Sequence, residues 1–378
     1  MKKKVAIIGS GIAGLTLANL FKKFSDFNVL VYEKEKILSL NEGYGIQLAN
    51  NSISILNKIG FLNLDINEFF NPSKINFYSS NNKKICDLNL SNFNTEKVKY
   101  TTLKRSTLIE FLRGNLFANN IVFGKEVKRI SKNKDKLLIN FKDNTNDMVD
   151  YIIVSDGIFS STKSIVENNY NAPSYRGSIA IRTILKSSLE HNYDKNNISL
   201  IMLKNAHIVI YPINKKNELN LICIVRKKIS NKVDLHSLIN KSILSQNKNL
   251  EILFKNQLEY WPIYVSKKPS KSIYENLFYI GDAFYAFPPT MAQGASQSIE
   301  AAFELFNLVS QDKNGVQDLY FKKRLQRTKM INSRSTLNYH AFHLSNPILI
   351  KLRNFMLKKI TGSRKFMNRY LGSIYQKT

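Results

Sequence analysis

The chain is poor in the features that usually staple a protein together or announce a partner. Cysteine occurs only as Cys86 and Cys223, each in an apolar stretch and neither in a C-x-x-C pair. That excludes a disulfide scaffold and a thiolate metal site, and a reducing compartment, the cytoplasm, is expected. No run of about 18 apolar residues is present, so no membrane-spanning helix is expected. The apolar run behind Lys2 is broken by Gly9 and Gly11, too early for a signal peptide. No repeat with a period of about 20–50 residues is visible. The five histidines, His191, His207, His236, His340 and His343, show no metal-ligand spacing, so no metal is expected. Acids are scarce: 28 Asp and Glu face 56 Lys and Arg, giving a formal net charge of +28. Such a balance suggests nucleic acid. Yet only 12 of the bases are Arg, the lysines are scattered, and no nucleic-acid-binding motif accompanies them, so no such partner is expected.

What is present begins at the N-terminus. Val5 to Ile8 is a short apolar run, and Gly9-Ser-Gly11-Ile12-Ala13-Gly14 follows it. A helix-period pattern leaves the glycines, and a second apolar run from Val29 ends at Glu33. Strand, G-x-G-x-x-G turn, helix, strand and terminal acid, in that order, predict a dinucleotide-binding βαβ unit. Gly9 permits the tight turn, Gly11 lets backbone approach a pyrophosphate, and Gly14 lets helix and strand pack closely. The helix N-terminus offers free N–H groups to phosphate. Glu33, nineteen residues past Gly14, suits both hydroxyls of an adenosine ribose and disfavours a 2′-phosphate. These residues do not distinguish FAD from NAD.

Further along, Gly43-x-Gly45-Ile-Gln47 crosses close to something, and Ser52 to Ile59 reads as a helix stopped by Gly60. Ile75–Tyr78 and Ile85–Leu88 read as short strands. Ser106 reads as the N-cap of a helix over 107–116, with Glu110 near its first turn. Runs at 121–123, 127–130 and 137–141 read as a small meander. Tyr151–Val154 is a buried strand ending in Ser155-Asp156-Gly157, a carboxylate at a sheet's carboxyl edge. Four β-branched runs between 179 and 226 read as an antiparallel sheet walling a cavity, and 234–245 as a covering helix. Leu277–Ile280 is another buried strand, ending in Gly281-Asp282. A stiff Pro288-Pro289 loop leads to Gln293-Gly294-Ala295, where a long helix begins.

On these residues the chain resembles the single-component, class A flavoprotein monooxygenases, the family of p-hydroxybenzoate hydroxylase and salicylate hydroxylase. The resemblance covers residues 1 to about 360 and implies an α/β fold. A Rossmann-like FAD-binding domain would comprise 1–70, 96–170 and 272–330. An inserted antiparallel-sheet substrate domain would comprise 71–95 and 171–271, with C-terminal helices over 331–378. FAD, not NAD, would occupy the nucleotide site. Gly9, Gly11, Ile12, Ala13, Gly14, Glu33 and Lys34 would hold its ADP half, and Gly45 and Gln47 would lie near it. Arg105 would reach the pyrophosphate and ribityl region, and Gly281-Asp282 the ribityl chain. Pro288 and the Gln293-Gly294-Ala295 backbone would face the ring, while Asp156-Gly157 would serve FAD and NAD(P)H.

The implied reaction is hydroxylation of a small aromatic or conjugated compound with NAD(P)H and O2, by way of a flavin C4a-hydroperoxide. The alternatives are a flavin-dependent reductase or oxidase, and a quinone-precursor hydroxylase at a membrane surface. The single Trp261 argues against a halogenase. Arg182 would bind a substrate carboxylate or form a surface or interlobe ion pair. Tyr211 would be cavity wall or proton donor. The family usually has His where this chain has Tyr285, Arg where it has Lys163, and an acid where it has Ala301. The tail from Ser345 has eight Lys or Arg and no acid. Its stripe of Ile348, Leu349, Leu352, Phe355, Met356 and Ile360 would dock on the FAD lobe or touch anionic lipid reversibly. A monomer or homodimer is expected.

Overall fold

The computed structural model describes residues 2–37, 44–186, 194–228, 233–311 and 315–376. Gly43 and His191 lie outside them. The dinucleotide unit forms as the glycine spacing requires. Strand Lys4–Ile8 turns through Gly9 into helix Ile12–Phe24, and strand Asn28–Tyr32 returns beside it. Lys4–Ile8 is the centre of a five-stranded parallel sheet, flanked by Asn28–Tyr32 and Tyr151–Val154. Leu277–Tyr279 and Ile121–Val122 are its edges. Its inner strands are apolar because helices and a second sheet cover both faces.

A seven-stranded sheet makes the other lobe. Its order runs Glu259–Val265, Ser174–Lys186, Glu218–Arg226, Ala206–Pro212, Ile198–Leu203, Lys74–Tyr78, Lys84–Asn89. A small sheet of Gly45–Leu48, Thr101–Lys104 and Phe69–Phe70 lies between the two. Direct bonds join the lobes there. Gly45 N–H donates to Asn220 Oδ1 at 2.7 Å, Thr102 Oγ1 to the Pro212 carbonyl at 2.5 Å, and Lys104 pairs with Glu218 at 2.8 Å.

Four expectations are corrected. The run at 121–123 belongs to the parallel sheet; the meander is instead Val127–Asn133, Lys136–Phe141 and Asn146–Val149. The large sheet is not wholly antiparallel, because Ile198–Leu203 pairs parallel with Lys74–Tyr78. The chain leaves this sheet after Asn89 and traverses the other lobe before re-entering, so it can return in either direction. Ser106 is not an N-cap: the helix is Arg105–Gly114, entered directly from the strand ending at Lys104, and Glu110 lies beyond its first turn. Arg105 N–H is instead satisfied by the Tyr44 carbonyl at 2.9 Å.

The fourth correction concerns the tail. Helix Pro347–Gly362 packs on strand Lys84–Asn89 at the large sheet's edge, with Leu357 turned to the core there, and not on the parallel-sheet lobe. Ile348, Leu349, Leu352, Phe355 and Met356 face away from the protein. The docked part is the last segment. Met367, Leu371, Ile374 and Tyr375 are buried among Phe93, Tyr100 and Ala49.

Candidate functional site

The first glycine of the turn has φ +101°, a conformation L side chains rarely adopt, and a Cβ there would strike the Ser155 carbonyl at 2.8 Å. Gly14 is required for a different reason. A Cβ on it would lie 2.2 Å from the Gly9 carbonyl and 2.6 Å from Ser155 Oγ. Ser155 Oγ itself donates to the Ile8 and Gly9 carbonyls at 2.8 and 3.0 Å, bracing the turn. Gly11 is the contrast, because a Cβ there meets nothing within 4 Å. The fold does not need glycine at 11, whereas a ligand pressed onto the backbone does.

Beyond Gly11 lies a cleft of about 310 Å³. It gathers Gly9, Gly11, Glu33, Lys34, Arg105, Asp156 and Gly157, residues drawn from the whole first half of the chain. Glu33 Oε2 accepts from the backbone N–H and the hydroxyl of Ser10 at 2.8 and 2.7 Å. Ser10 was not singled out from sequence, and it aims the acid across the turn. Burial pushes the Asp156 carboxyl up, against hydrogen bonds from Ser160 and Thr162.

The second loop closes on the same helix. Gly281 approaches so closely that a Cβ would lie 2.9 Å from Ala13 Cβ. Asp282 follows it, closely surrounded by protein but with its side chain open to solvent. Its depth pushes the carboxyl up to about 6, and the Arg105 charge pulls it back. Lys163 is buried and donates from Nζ to the Ala283 carbonyl at 3.0 Å, 5.1 Å from the Tyr279 ring. It ties the Asp156 loop to the Asp282 loop, a link the sequence spacing does not reveal. Pro288, buried, leads through the turn Pro289–Met291 to helix Gly294–Ser310. Gly294 lines a small crevice with Gly281 and Asp282, and a Cβ on it would meet nothing within 4 Å. The buried Gln293 Nε2 has no partner.

Behind this helix is a network not anticipated from sequence. Glu300 accepts two bonds from Arg327, both 2.7 Å, one from Arg324 at 3.0 Å and one from Asn51 at 2.7 Å. Burial alone would raise the Glu300 pKa, but the two arginines and Asn51 hold it below the usual range. Glu304 also reaches Arg324 at 3.4 Å, so the arginine is paired without an acid at Ala301.

Gly45 and Gln47 sit away from the phosphate cleft. Gly45 makes its close approach to Ile213 and Asn220 of the large sheet, where a Cβ would fall 2.6 and 2.7 Å away. Gln47 Oε1 accepts from Tyr100 at 2.7 Å, and the Gln47 side chain also hydrogen-bonds the phenol of Tyr211. Tyr211 is buried with Ile213, Met291 and Phe287. Burial pushes its phenol far above the usual range, so it stays protonated, although the Arg182 charge opposes this. The Arg182 guanidinium lies 5.5 Å from the Trp261 ring and 5.9 Å from Tyr44. Arg182, Tyr211, Gln47 and the Pro288 loop thus share the space between sheet and parallel core. Tyr285 is buried against Phe287 at 5.2 Å, and burial raises its phenol too. His207 and His343 form a buried pair 2.7 Å apart, both held neutral by burial, a packing role. Among the described residues no group of His, Cys, Asp or Glu could hold a metal.

A family model described as "FAD binding domain" matches residues 2–330. The chain belongs to this FAD-binding family. It is 23% identical to 3-amino-4-hydroxybenzoate 2-monooxygenase of Streptomyces cremeus, over 90% of this chain and 88% of that one. It is 22% identical to salicylate hydroxylase of Pseudomonas putida, over 84% and 78%. The fold matches that of HpxO of Klebsiella pneumoniae, solved with FAD and uric acid, with TM-score 0.85 at 17% identity over 98% and 96%. The chain is an FAD-dependent monooxygenase. FAD suits the residues present: an acid-ended βαβ cleft, an open face at Gly11, and an unpartnered amide at Gln293. No helix among the described residues is long and apolar enough to cross a membrane.

Proposed function

We propose that residues 1–70, 96–170 and 272–330 hold FAD, and that 71–95 and 171–271 enclose a small aromatic substrate carrying an anionic group. One observation carries the reading. The Gly9–Gly11 turn, Glu33, Arg105 and Asp156 line one cleft, Gly281 packs on Ala13 of the same helix and sets Asp282 within reach of the Arg105 charge, and Tyr211 is buried with Phe287 and Met291 on either side of Pro288. Gly9, Gly11 and the N-terminus of helix Ile12–Phe24 would take the pyrophosphate. Ile12, Ala13 and Gly14 shape that helix start, and Glu33 beside Lys34 would take the ribose. Arg105 and Asp282 would take the ribityl chain. The Gln293-Gly294-Ala295 backbone would stabilise negative charge at the pyrimidine end of the ring.

Bound FAD supplies electron transfer from NAD(P)H and activation of O2 for insertion into the substrate. The chain's own residues bind, orient and exclude water. Arg182 would pair with the substrate's anionic group. Tyr211, kept protonated and held by Gln47, would donate a hydrogen bond to a ring oxygen. Ile213, Met291 and Phe287 supply the dry wall that protects oxidising chemistry from water. The reading favours oxygen insertion over simple reduction because an apolar chamber of this kind serves a reactive oxidant. The protein would act as a monomer or homodimer. The outward face of helix Pro347–Gly362 favours a second possibility, an apolar substrate delivered from an anionic membrane surface. Incubation of the yellow holoenzyme with NAD(P)H, labelled O2 and a panel of hydroxybenzoates and apolar phenols tests this. One labelled oxygen atom per product is expected; NAD(P)H oxidation without labelled product would refute it.

A further inference from the structure

The helix Pro347–Gly362 is inside-out relative to an ordinary surface helix. Its inner side carries Arg353, buried and donating to the Ala341 carbonyl at 3.0 Å, with Leu357 and Thr361 nearby. Its outer side carries Ile348, Leu349, Leu352, Phe355 and Met356, between 46% and 75% exposed. These residues recur at three- and four-residue spacing, so they form one continuous stripe. Lys351, Lys358 and Lys359 lie along it, all exposed, and Arg364, Lys365, Phe366 and Arg369 just beyond the helix are exposed too. No carboxylate occurs between Ser345 and Gln376. The helix is capped deliberately: Asn346 accepts from Ile348 and Leu349 N–H at 2.9 and 3.2 Å. The stripe is therefore held outward by a capped helix that packs on strand Lys84–Asn89.

Water is a poor neighbour for five adjacent large apolar side chains, and such a patch marks an interaction site. We propose that this face seats on an anionic lipid surface, with the apolar stripe entering the acyl boundary and the lysines meeting headgroup phosphates. Charge complementarity selects the lipid. A second copy would bring the same acid-free cationic surface against itself across a two-fold axis, in a chain of formal charge +28. A nucleic acid would satisfy the lysines but leave Ile348, Leu349 and Leu352 uncovered. An anionic bilayer matches both. The inference stands apart from the flavin reading, because lipid binding is read without turnover.

The test is flotation of the FAD-loaded protein with phosphatidylcholine vesicles, with and without phosphatidylglycerol. Binding to the anionic vesicles, reduced about tenfold or more by high salt or by omitting phosphatidylglycerol, is expected. The double variant Leu352→Asp, Phe355→Asp and the triple variant Lys351→Glu, Lys358→Glu, Lys359→Glu should each lose about tenfold or more of that binding while keeping wild-type flavin absorbance. All five positions face solvent, so the flavin spectrum reports an intact fold. No vesicle binding by the wild type, or undiminished binding by the Asp variant, overturns the proposal. So does a concentration-dependent dimer that the Asp variant abolishes, which would assign the stripe to a second copy.

Discussion

Lys163 Nζ donates a 3.0 Å hydrogen bond to the carbonyl of Ala283. This single contact joins the loop that presents Asp156 to the loop that presents Asp282, which follow two adjacent strands at the edge of the parallel sheet. Both acids must hold position for one ligand to span them. Burial lowers the Lys163 pKa, which fits a cation committed to one carbonyl rather than to solvent.

Lys163→Met should therefore loosen the Asp282 loop without emptying the core. A charged hydrogen bond of this kind is worth about 1.5–3 kcal/mol. FAD affinity should fall about tenfold to a hundredfold, measured by quenching of flavin fluorescence. Lys163→Arg should recover much of it. Unchanged affinity in the Met variant would show that the contact is incidental.

Glu300→Ala should be among the most destabilising single substitutions. It strands Arg324, which is 2% exposed, together with Arg327. Removing one partner of a buried ion pair costs about 3–5 kcal/mol, visible as a lower denaturation midpoint. The sign in acid follows from the depressed Glu300 pKa. The stability it contributes is present above the unfolded value and is lost as pH falls through the folded one. Wild type should weaken below about pH 4.5, and Glu300→Gln should flatten that part of the profile.

Asp282 behaves oppositely. Its folded pKa is raised to about 6, so in the FAD-free protein its ionisation opposes folding as pH rises from the unfolded value through 6. The effect is blunted because solvent reaches the group. Asp282→Asn should slightly raise the melting temperature of the FAD-free protein near neutrality. FAD affinity in wild type should strengthen as pH rises through about 6, since only the carboxylate accepts a hydroxyl strongly. The Asn variant should bind FAD more weakly and without that pH dependence. A wild-type affinity flat across this range would contradict the assignment.

Arg182→Ala should raise KM for carboxylate-bearing aromatics about tenfold to a hundredfold with FAD affinity unchanged. Arg182→Lys should rescue only part, because the bidentate fork is lost. A matched panel of hydroxybenzoates and neutral phenols checks this. Equal loss on both classes would make Arg182 a packing residue held between Trp261 and Tyr44.

The parts of this molecule legible in sequence are those where backbone chemistry leaves no choice. Gly9 and Gly14 cannot be replaced sterically, and a strand running into Asp156-Gly157 or Gly281-Asp282 announces a sheet edge. What escaped reading depends on partners far along the chain. Strand Glu259–Val265 contains Pro262, which a sheet tolerates here because the strand is at the edge. The bonds from Asn51 and Arg327 to Glu300 cross 249 and 27 residues, with no local pattern to signal them. The tail stripe had the correct helical period, but periodicity does not say which face the protein covers. Arg353 and Leu357 won the inner side, leaving the more apolar face outward.

The most direct measurement is FAD titration of Gly11→Val beside wild type, followed by flavin fluorescence, with circular dichroism as the fold control. A side chain at 11 meets nothing within 4 Å in the protein alone. The account predicts one FAD bound per wild-type chain, an intact fold in the variant, and binding weakened about a hundredfold or more, because the valine occupies the pyrophosphate's approach. A well-folded Gly11→Val protein that binds FAD as tightly as wild type would place the cofactor elsewhere and contradict it.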